Sequence, residues 1–177
     1  MKKILYSVAL LATTMIGFTS CEEDEEELIE EMVGEYKCGF SYLFSKDGLN
    51  YNVPTDSIHT SMEWPVGLSS VDVSKQGDDA IKIYLSSYGN VECSSFVKRG
   101  EVEGYSGYTG IGFNVNNANF LGANCIAKRK YDNVDCEYNV YLKETSISLI
   151  ANVADVNGFE NITDYSKVLI TISLEKK

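Results

Sequence analysis

The sequence predicts an all-β fold, a single antiparallel up-and-down β-barrel of about eight to ten strands. Apolar and polar residues alternate with a period of two through most of the chain after Gly34, which is the pattern of strands with one buried face. Turn-forming sequences such as Lys46-Asp47-Gly48 separate these segments, and no helical pattern is long enough to connect parallel strands. Closure into a barrel protects the edges of such a meander, whereas a two-sheet β-sandwich is the alternative that the same alternation allows.

The elements can be assigned in order along the chain. The first strand is predicted at residues 36–44, where the aromatic residues fall on one side of the alternation. A hairpin is expected at residues 71–85, with a Gly-Asp-Asp turn in its middle. The remaining strands are expected at residues 51–60, 91–98, 111–115, 119–130, 134–142, 146–153 and 168–174. The only helical pattern lies at residues 25–33, which place four apolar side chains on one side.

Composition and charge exclude several classes of function. The 177 residues are 44% hydrophobic and 23% charged, which fits one ordinary folded domain. The formal net charge of −11 argues against binding to nucleic acid phosphates. His59 is the single histidine, which excludes multi-histidine metal sites and leaves little material for a catalytic triad. We therefore expect a protein that is not an enzyme and that uses neither a metal ion nor another cofactor.

Residues 1–20 have the organisation of a secretory signal peptide. Two lysines precede an apolar stretch that is short for a membrane-spanning helix, and small residues lead up to Cys21. The sequence Thr19-Ser20-Cys21 resembles the lipobox of bacterial lipoproteins, in the form common in the Bacteroidetes. The resemblance implies that Cys21 becomes the lipidated N-terminus and anchors the protein to the outer membrane. A conventional signal peptide, with Cys21 an ordinary thiol, is the alternative.

Residues 21–32 are predicted to form an acidic tether between the anchor and the folded domain. They contain eight acidic residues, which favour a solvated and self-repelling segment. An acidic block directly after the lipidated cysteine resembles the surface-export signal of Bacteroidetes lipoproteins. The resemblance implies exposure on the cell surface, with the periplasmic face as the alternative.

Residues 33–177 carry a resemblance that concerns the fold. The sequence Val33-Gly34-Glu35-Tyr36 resembles the Gly-x-Trp entry of lipocalins, with Tyr36 in the place of tryptophan. Residues 71–85 resemble the central hairpin of the calycin-like lipoproteins of gut Bacteroidetes. The resemblance implies a calycin-like barrel whose interior holds a small apolar or amphipathic ligand.

The inward faces of the first and last strands decide between two functions. Tyr36, Phe40 and Tyr138 are candidate ligand contacts inside a barrel. The same faces are bulky enough to fill a small barrel completely. The alternative is therefore a surface interaction or structural lipoprotein with a solid core, which recognises glycans or proteins through its loops.

Two loops supply further candidate contacts. Tyr105 and Tyr108 lie in a segment rich in Gly and Ser, a composition typical of adaptable binding loops. Trp64 could close a barrel end or lie at its rim. A purely structural role for these aromatic residues is the alternative. Ser57 lies in the sequence Asp56-Ser57-Ile58, which resembles an O-glycosylation acceptor of exported Bacteroidetes proteins.

Four cysteines remain after Cys21, an even number in an exported protein. Two disulfides are the hypothesis, and a hairpin expected between Cys125 and Cys136 favours pairing these two and leaving Cys38 with Cys93. The alternative is four small buried thiols, since Cys38 and Cys136 lie on apolar faces.

Overall fold

A computed structural model describes residues 25–46, 58–60, 70–99, 110–131 and 133–177. Its elements are the helix α1 (Glu25–Met32) and the strands β1 (Gly34–Ser45), β2 (Ile58–Thr60), β3 (Val71–Lys75), β4 (Ala80–Tyr84), β5 (Gly89–Arg99), β6 (Gly110–Phe120), β7 (Ala123–Asn124), β8 (Ile126–Ala127), β9 (Cys136–Asn139), β10 (Glu144–Asn152) and β11 (Lys167–Lys176), with short 3-10 turns at Ser86–Tyr88 and Val153–Asp155.

Eight of the strands close into an antiparallel barrel. Hydrogen bonds connect β11, β1, β3, β4, β5, β6, β9 and β10 in this order, and the pairing of β10 with β11 closes the ring. The short strands β2, β7 and β8 pair with β1, β6 and β10 outside this ring. The closed ring confirms the predicted all-β barrel, which is compatible with a calycin-like fold, and is not a two-sheet sandwich.

Alternation of side chains builds the core, as the sequence predicts. Tyr36, Tyr42 and Phe44 of β1 are buried, and the even-numbered positions of β11 from Val168 to Leu174 are buried in the same way. The predicted helix is also confirmed, because residues 25–32 form α1 and bury Leu28, Ile29 and Met32 against the barrel. The apolar side of this short segment therefore belongs to the core.

One predicted strand is wrong. Residues 119–130 were expected to form a continuous strand, but β6 ends at Phe120 and a turn follows at Leu121 and Gly122. Both turn residues have positive φ angles, 48° and 87°, which reverse the chain direction. Two short strands, β7 and β8, replace the rest of the expected element. Alternation alone did not reveal this turn, because leucine is not a typical residue at such a position.

The two ends of the barrel differ, and we name them by their elements. The helix end is where α1 packs and where β1 begins, and there the Tyr36 hydroxyl donates a hydrogen bond to the Met32 carbonyl oxygen over 2.5 Å. The Lys176 ammonium group donates to the Glu31 carbonyl oxygen at the same end, over 2.6 Å. The far end is where β1 finishes at Ser45 and where Gly89 pairs with Phe120.

Glycine is required at Gly89, where β5 begins. Its φ angle is +128°, and a Cβ atom added here would lie 2.1 Å from the Asn119 carbonyl oxygen. No side chain fits so close to a neighbouring strand, so this glycine allows β5 and β6 to approach each other at the far end.

Candidate functional site

Seven aromatic side chains meet at the far end of the barrel, and we call them the aromatic cluster. They are Phe40, Tyr42, Phe44, Tyr88, Phe120, Phe159 and Tyr165. Three come from β1, one from the 3-10 turn before β5, one from the end of β6 and two from the segment between β10 and β11. Neighbouring ring centroids lie 5.3 to 6.2 Å apart, the distances of edge-to-face and offset contacts.

Part of the aromatic cluster is accessible although its strand positions face inward. Tyr42 and Phe120 are buried, whereas Phe40 and Tyr88 are only partly buried and pack against the core. The rings of Phe40 and Tyr88 lie 5.6 Å apart, and both contact Phe120. Accessible rings with a solid aromatic floor offer an apolar surface for a small molecule.

A polar group lies within this apolar surrounding. The Tyr42 hydroxyl is fully buried and makes no hydrogen bond within the part of the chain that the structure describes. Burial raises the pKa of Tyr42 far above its ordinary value, and the neighbouring Tyr88 and Cys38 raise it further. A buried hydroxyl without a partner costs free energy, and a polar group of a bound molecule that paired with it would remove this cost.

The helix end is filled in a different way. Tyr36 and Tyr138 are buried there in an edge-to-face arrangement with their ring centroids 6.4 Å apart. Met32 of α1 and Leu174 of β11 complete the packing at this end. The Tyr138 hydroxyl makes no hydrogen bond among the described residues, and burial raises its pKa. The structure therefore separates Tyr36 and Tyr138 from Phe40, although the sequence suggests one common site.

Several sequence-predicted sites lie outside the described residues. These are the lipidation site Cys21, the glycosylation candidate Ser57 and the loop residues Trp64, Tyr105 and Tyr108. Strand pairing nevertheless positions the two residues that flank the tyrosine loop, because Arg99 pairs with Gly110 at the helix end. The aromatic cluster lies at the opposite end of the barrel, the far end.

All four described cysteines are free thiols in the structure. The Cys125 backbone N–H donates to the Ala118 carbonyl oxygen of β6, whereas Cys136 pairs with Phe113 of the same strand. Ala118 and Phe113 are five residues apart along β6, which is about 17 Å at the rise of a strand. A disulfide requires the two Cα atoms to lie within about 7 Å of each other. The expected bridge between Cys125 and Cys136 is not formed, and neither is that between Cys38 and Cys93.

Burial suppresses the reactivity of these thiols. It raises the pKa of Cys38 and of Cys136 to about 12 and that of Cys125 to about 11. Cys93 is fully buried, and burial raises its pKa well above the ordinary value. Thiols with such raised pKa values are poor nucleophiles at neutral pH, so none of the four has the properties of a catalytic cysteine.

Sequence reasoning named Phe40 as a candidate contact and missed the other six members of the aromatic cluster. Tyr42, Phe44 and Phe120 lie on predicted strands, but Tyr88, Phe159 and Tyr165 lie in connections between strands, where a period of two gives no information. The common property of Tyr88, Phe159 and Tyr165 is that their connections, between β4 and β5 and between β10 and β11, join strands at the far end. This property becomes readable only after the strand order is known.

In the described residues, no group of three His, Cys, Asp or Glu side chains is placed to hold a metal ion. None of the helices described by the structure has the length and apolar character needed to cross a membrane. Comparison with protein-family models, curated proteins and solved structures finds no match. The class of protein is therefore defined by its own geometry: a closed eight-stranded antiparallel barrel with an aromatic cluster at one end.

Proposed function

We propose that this protein is a non-enzymatic binding protein that takes up a small amphipathic molecule at the far end of its barrel. The observation that carries the proposal is the Tyr42 hydroxyl, which is buried without a partner beside the partly exposed rings of Phe40 and Tyr88. A ligand with one polar group and one apolar face would pair with the hydroxyl and pack on the rings. Both interactions would be stronger in this apolar surrounding than in water.

The packing of the core supports a small ligand at one end over a large one in the middle. Phe113, Phe120 and Tyr138 are fully buried in the interior, and α1 packs across the helix end. An eight-stranded barrel is just wide enough for side chains to fill it. The ligand therefore lies against the aromatic cluster and does not pass through the barrel.

Binding can be tested with a dansyl-labelled fatty acid as a fluorescent probe of amphipathic character. Phe40→Ala should reduce probe affinity by tenfold or more, because it removes a partly exposed ring on which the apolar part of the probe would pack. Tyr42→Phe should reduce it about fivefold to tenfold through the loss of one hydrogen bond. Tyr84→Ala is the matched control, since Tyr84 is 56% exposed on the outer face of β4 and should leave affinity unchanged.

Three outcomes would overturn the proposal. The first is that the wild-type protein binds neither the probe nor any of a set of fatty acids, sterols and aromatic acids. The second is that Phe40→Ala binds as well as the wild type while remaining folded by circular dichroism. The third is that Tyr84→Ala loses affinity to the same degree as Phe40→Ala, which would place the probe on the outer surface.

We also propose that Cys21 carries a lipid anchor that holds the protein at the outer membrane, on the cell surface. The charged and apolar order of residues 1–20 and the Thr-Ser-Cys sequence support the anchor, and the acidic block after Cys21 supports surface exposure. Cys21→Ser should release the protein from the membrane fraction. Neutral substitution of residues 22–27 should abolish protease access on whole cells; unchanged access would refute the export role of these residues.

A further inference from the structure

A second concave surface lies on the outer wall of the barrel, away from the aromatic cluster. It crosses β1, β11, β10 and β9 and encloses about 680 Å³, which is within the usual range for small-molecule sites. We call it the outer groove. Its lining includes Lys37, Gly39, Glu137, Ser146 and Ser173.

The floor of the outer groove consists of small residues in register. Gly39 of β1 pairs with Ser173 of β11, and Ser173 pairs with Ser146 of β10, so these three residues form one row across three strands. A Cβ atom added at Gly39 would meet no atom within 4 Å. The floor is therefore low and presents hydroxyl and backbone groups at its centre.

The walls of the outer groove carry charges that partly balance each other. On one side, the Lys37 ammonium nitrogen lies 3.2 Å from a carboxylate oxygen of Glu175. On the other side, the Lys130 ammonium nitrogen lies 3.6 Å from a carboxylate oxygen of Glu137. Glu144 pairs in register with Glu175 and with Asn139, which adds a third carboxylate and an amide group. This set of groups can both donate and accept hydrogen bonds over a short distance.

An aromatic ring borders these polar walls. Tyr131 lines the outer groove and is 44% exposed. The Arg99 guanidinium group lies 4.7 Å from the centre of its ring, and the Lys130 ammonium group lies 5.6 Å from it. The two cations lie within cation–π distance of the ring, and Lys130 also pairs with Glu137 beside it. An exposed ring next to carboxylates is a surface that can contact the C–H face and the hydroxyl groups of one molecule together.

We propose that the outer groove binds a short neutral oligosaccharide. Such a ligand offers many hydroxyl groups to the carboxylates, lysines and Asn139, and an apolar ring face to Tyr131. Three carboxylates against two lysines disfavour an anionic ligand. A peptide strand is also disfavoured as an occupant, because β11 is hydrogen-bonded along its length to both β1 and β10 and leaves no edge free.

The proposal is tested by titrating cellotetraose, maltotetraose, xylotetraose and chitotetraose into the whole mature protein, with binding measured by calorimetry. We expect at least one of the four to bind. Gly39→Phe should reduce that affinity by tenfold or more, because the new side chain occupies the floor without displacing any atom at its Cβ. Tyr131→Ala should reduce it by a similar factor and provides a second variant if Gly39→Phe does not fold.

Two control variants separate this site from the rest of the protein. Tyr84→Ala changes an exposed tyrosine on β4, outside the outer groove, and should leave sugar affinity unchanged. Phe40→Ala should also leave it unchanged, which distinguishes the outer groove from the proposed ligand site inside the barrel. The proposal is overturned if none of the four sugars binds, if Gly39→Phe and Tyr131→Ala both bind normally, or if Phe40→Ala abolishes sugar binding.

Discussion

Two tyrosines on the same face of β1 should respond oppositely to loss of their hydroxyl groups. Tyr36 and Tyr42 are both buried, with 1% and 3% of their surface exposed. The Tyr36 hydroxyl donates a hydrogen bond to the Met32 carbonyl oxygen, whereas the Tyr42 hydroxyl makes none among the described residues. Substitution by phenylalanine keeps each ring and removes only the oxygen, so the pair isolates the effect of a hydrogen-bond partner.

The structure gives the sign and the size of each effect. Tyr36→Phe removes a short hydrogen bond and leaves the Met32 carbonyl oxygen without this donor, which should lower the free energy of unfolding by about 1–2 kcal/mol. Tyr42→Phe removes a buried polar group without a partner, which should raise the free energy of unfolding by about 1 kcal/mol. The ring contacts of Tyr42 with Phe120 and Phe159 remain in the variant.

The measurement is urea denaturation of the protein without added probe at neutral pH with a reducing agent present. The two variants should differ from each other by about 2–3 kcal/mol at an unchanged dependence on urea concentration. Tyr42→Phe should gain stability and lose probe affinity together, because the hydroxyl group that is proposed to pair with the probe is buried without a partner in the free protein. If Tyr42→Phe is destabilised as strongly as Tyr36→Phe, the Tyr42 hydroxyl has a partner in the empty protein and the argument for the ligand site fails.

Three further predictions concern the barrel and its helix. Gly89→Ala should lower the free energy of unfolding by more than about 2 kcal/mol, because its Cβ would meet the neighbouring strand. Gly39→Ala is the control, since a Cβ at Gly39 meets open space and should leave stability nearly unchanged. Equal losses of stability in urea denaturation would contradict this reasoning. Ile29→Ala should lower the free energy of unfolding by about 2–4 kcal/mol, since Ile29 lies on α1 and is fully buried against the barrel, and a loss below about 1 kcal/mol would mean that the helix is not firmly packed. In reducing buffer, stability should fall as the pH rises from about 9 towards 12, because burial raises the pKa of Cys136 to about 12 and only the unfolded chain readily forms the thiolate. Cys136→Ala should make this alkaline decrease shallower, and an identical pH profile for the variant would refute the assignment.

The strands and the helix could be predicted because their signals are local. The alternation from Tyr36 to Phe44 and the apolar side of residues 25–33 depend on neighbouring residues in the sequence, and both were confirmed. The cysteine pairing depended on a hairpin between Cys125 and Cys136. The structure instead places these residues beside two different levels of β6. After Cys125 the chain pairs with β10 through β8, and Tyr131 then bridges Val134 before β9 pairs with β6 at Phe113.

The aromatic cluster could be predicted only in part, because its members come from segments that lie far apart in the sequence. Phe40 was chosen from its strand, but its partners Tyr88 and Phe159 reach the same place through connections of irregular structure. Their proximity depends on the order in which strands pair around the ring, which is a long-range property that a single sequence does not encode in its spacing. The missing partner of the Tyr42 hydroxyl likewise becomes visible only when its neighbours are in place.

The position of α1 bears on how the barrel would meet a membrane. The sequence predicts a solvated tether over residues 21–32, whereas in the structure residues 25–32 form a helix that packs on the barrel. The Lys75 ammonium nitrogen lies 2.6 Å from a carboxylate oxygen of Glu26 on this helix. If Cys21 carries the proposed lipid, only residues 22–24 separate it from the helix, and three residues span at most about 11 Å. The helix end would then lie close to the bilayer. The aromatic cluster, at the far end, would open towards the aqueous phase, which favours a ligand captured from solution over one extracted from the membrane.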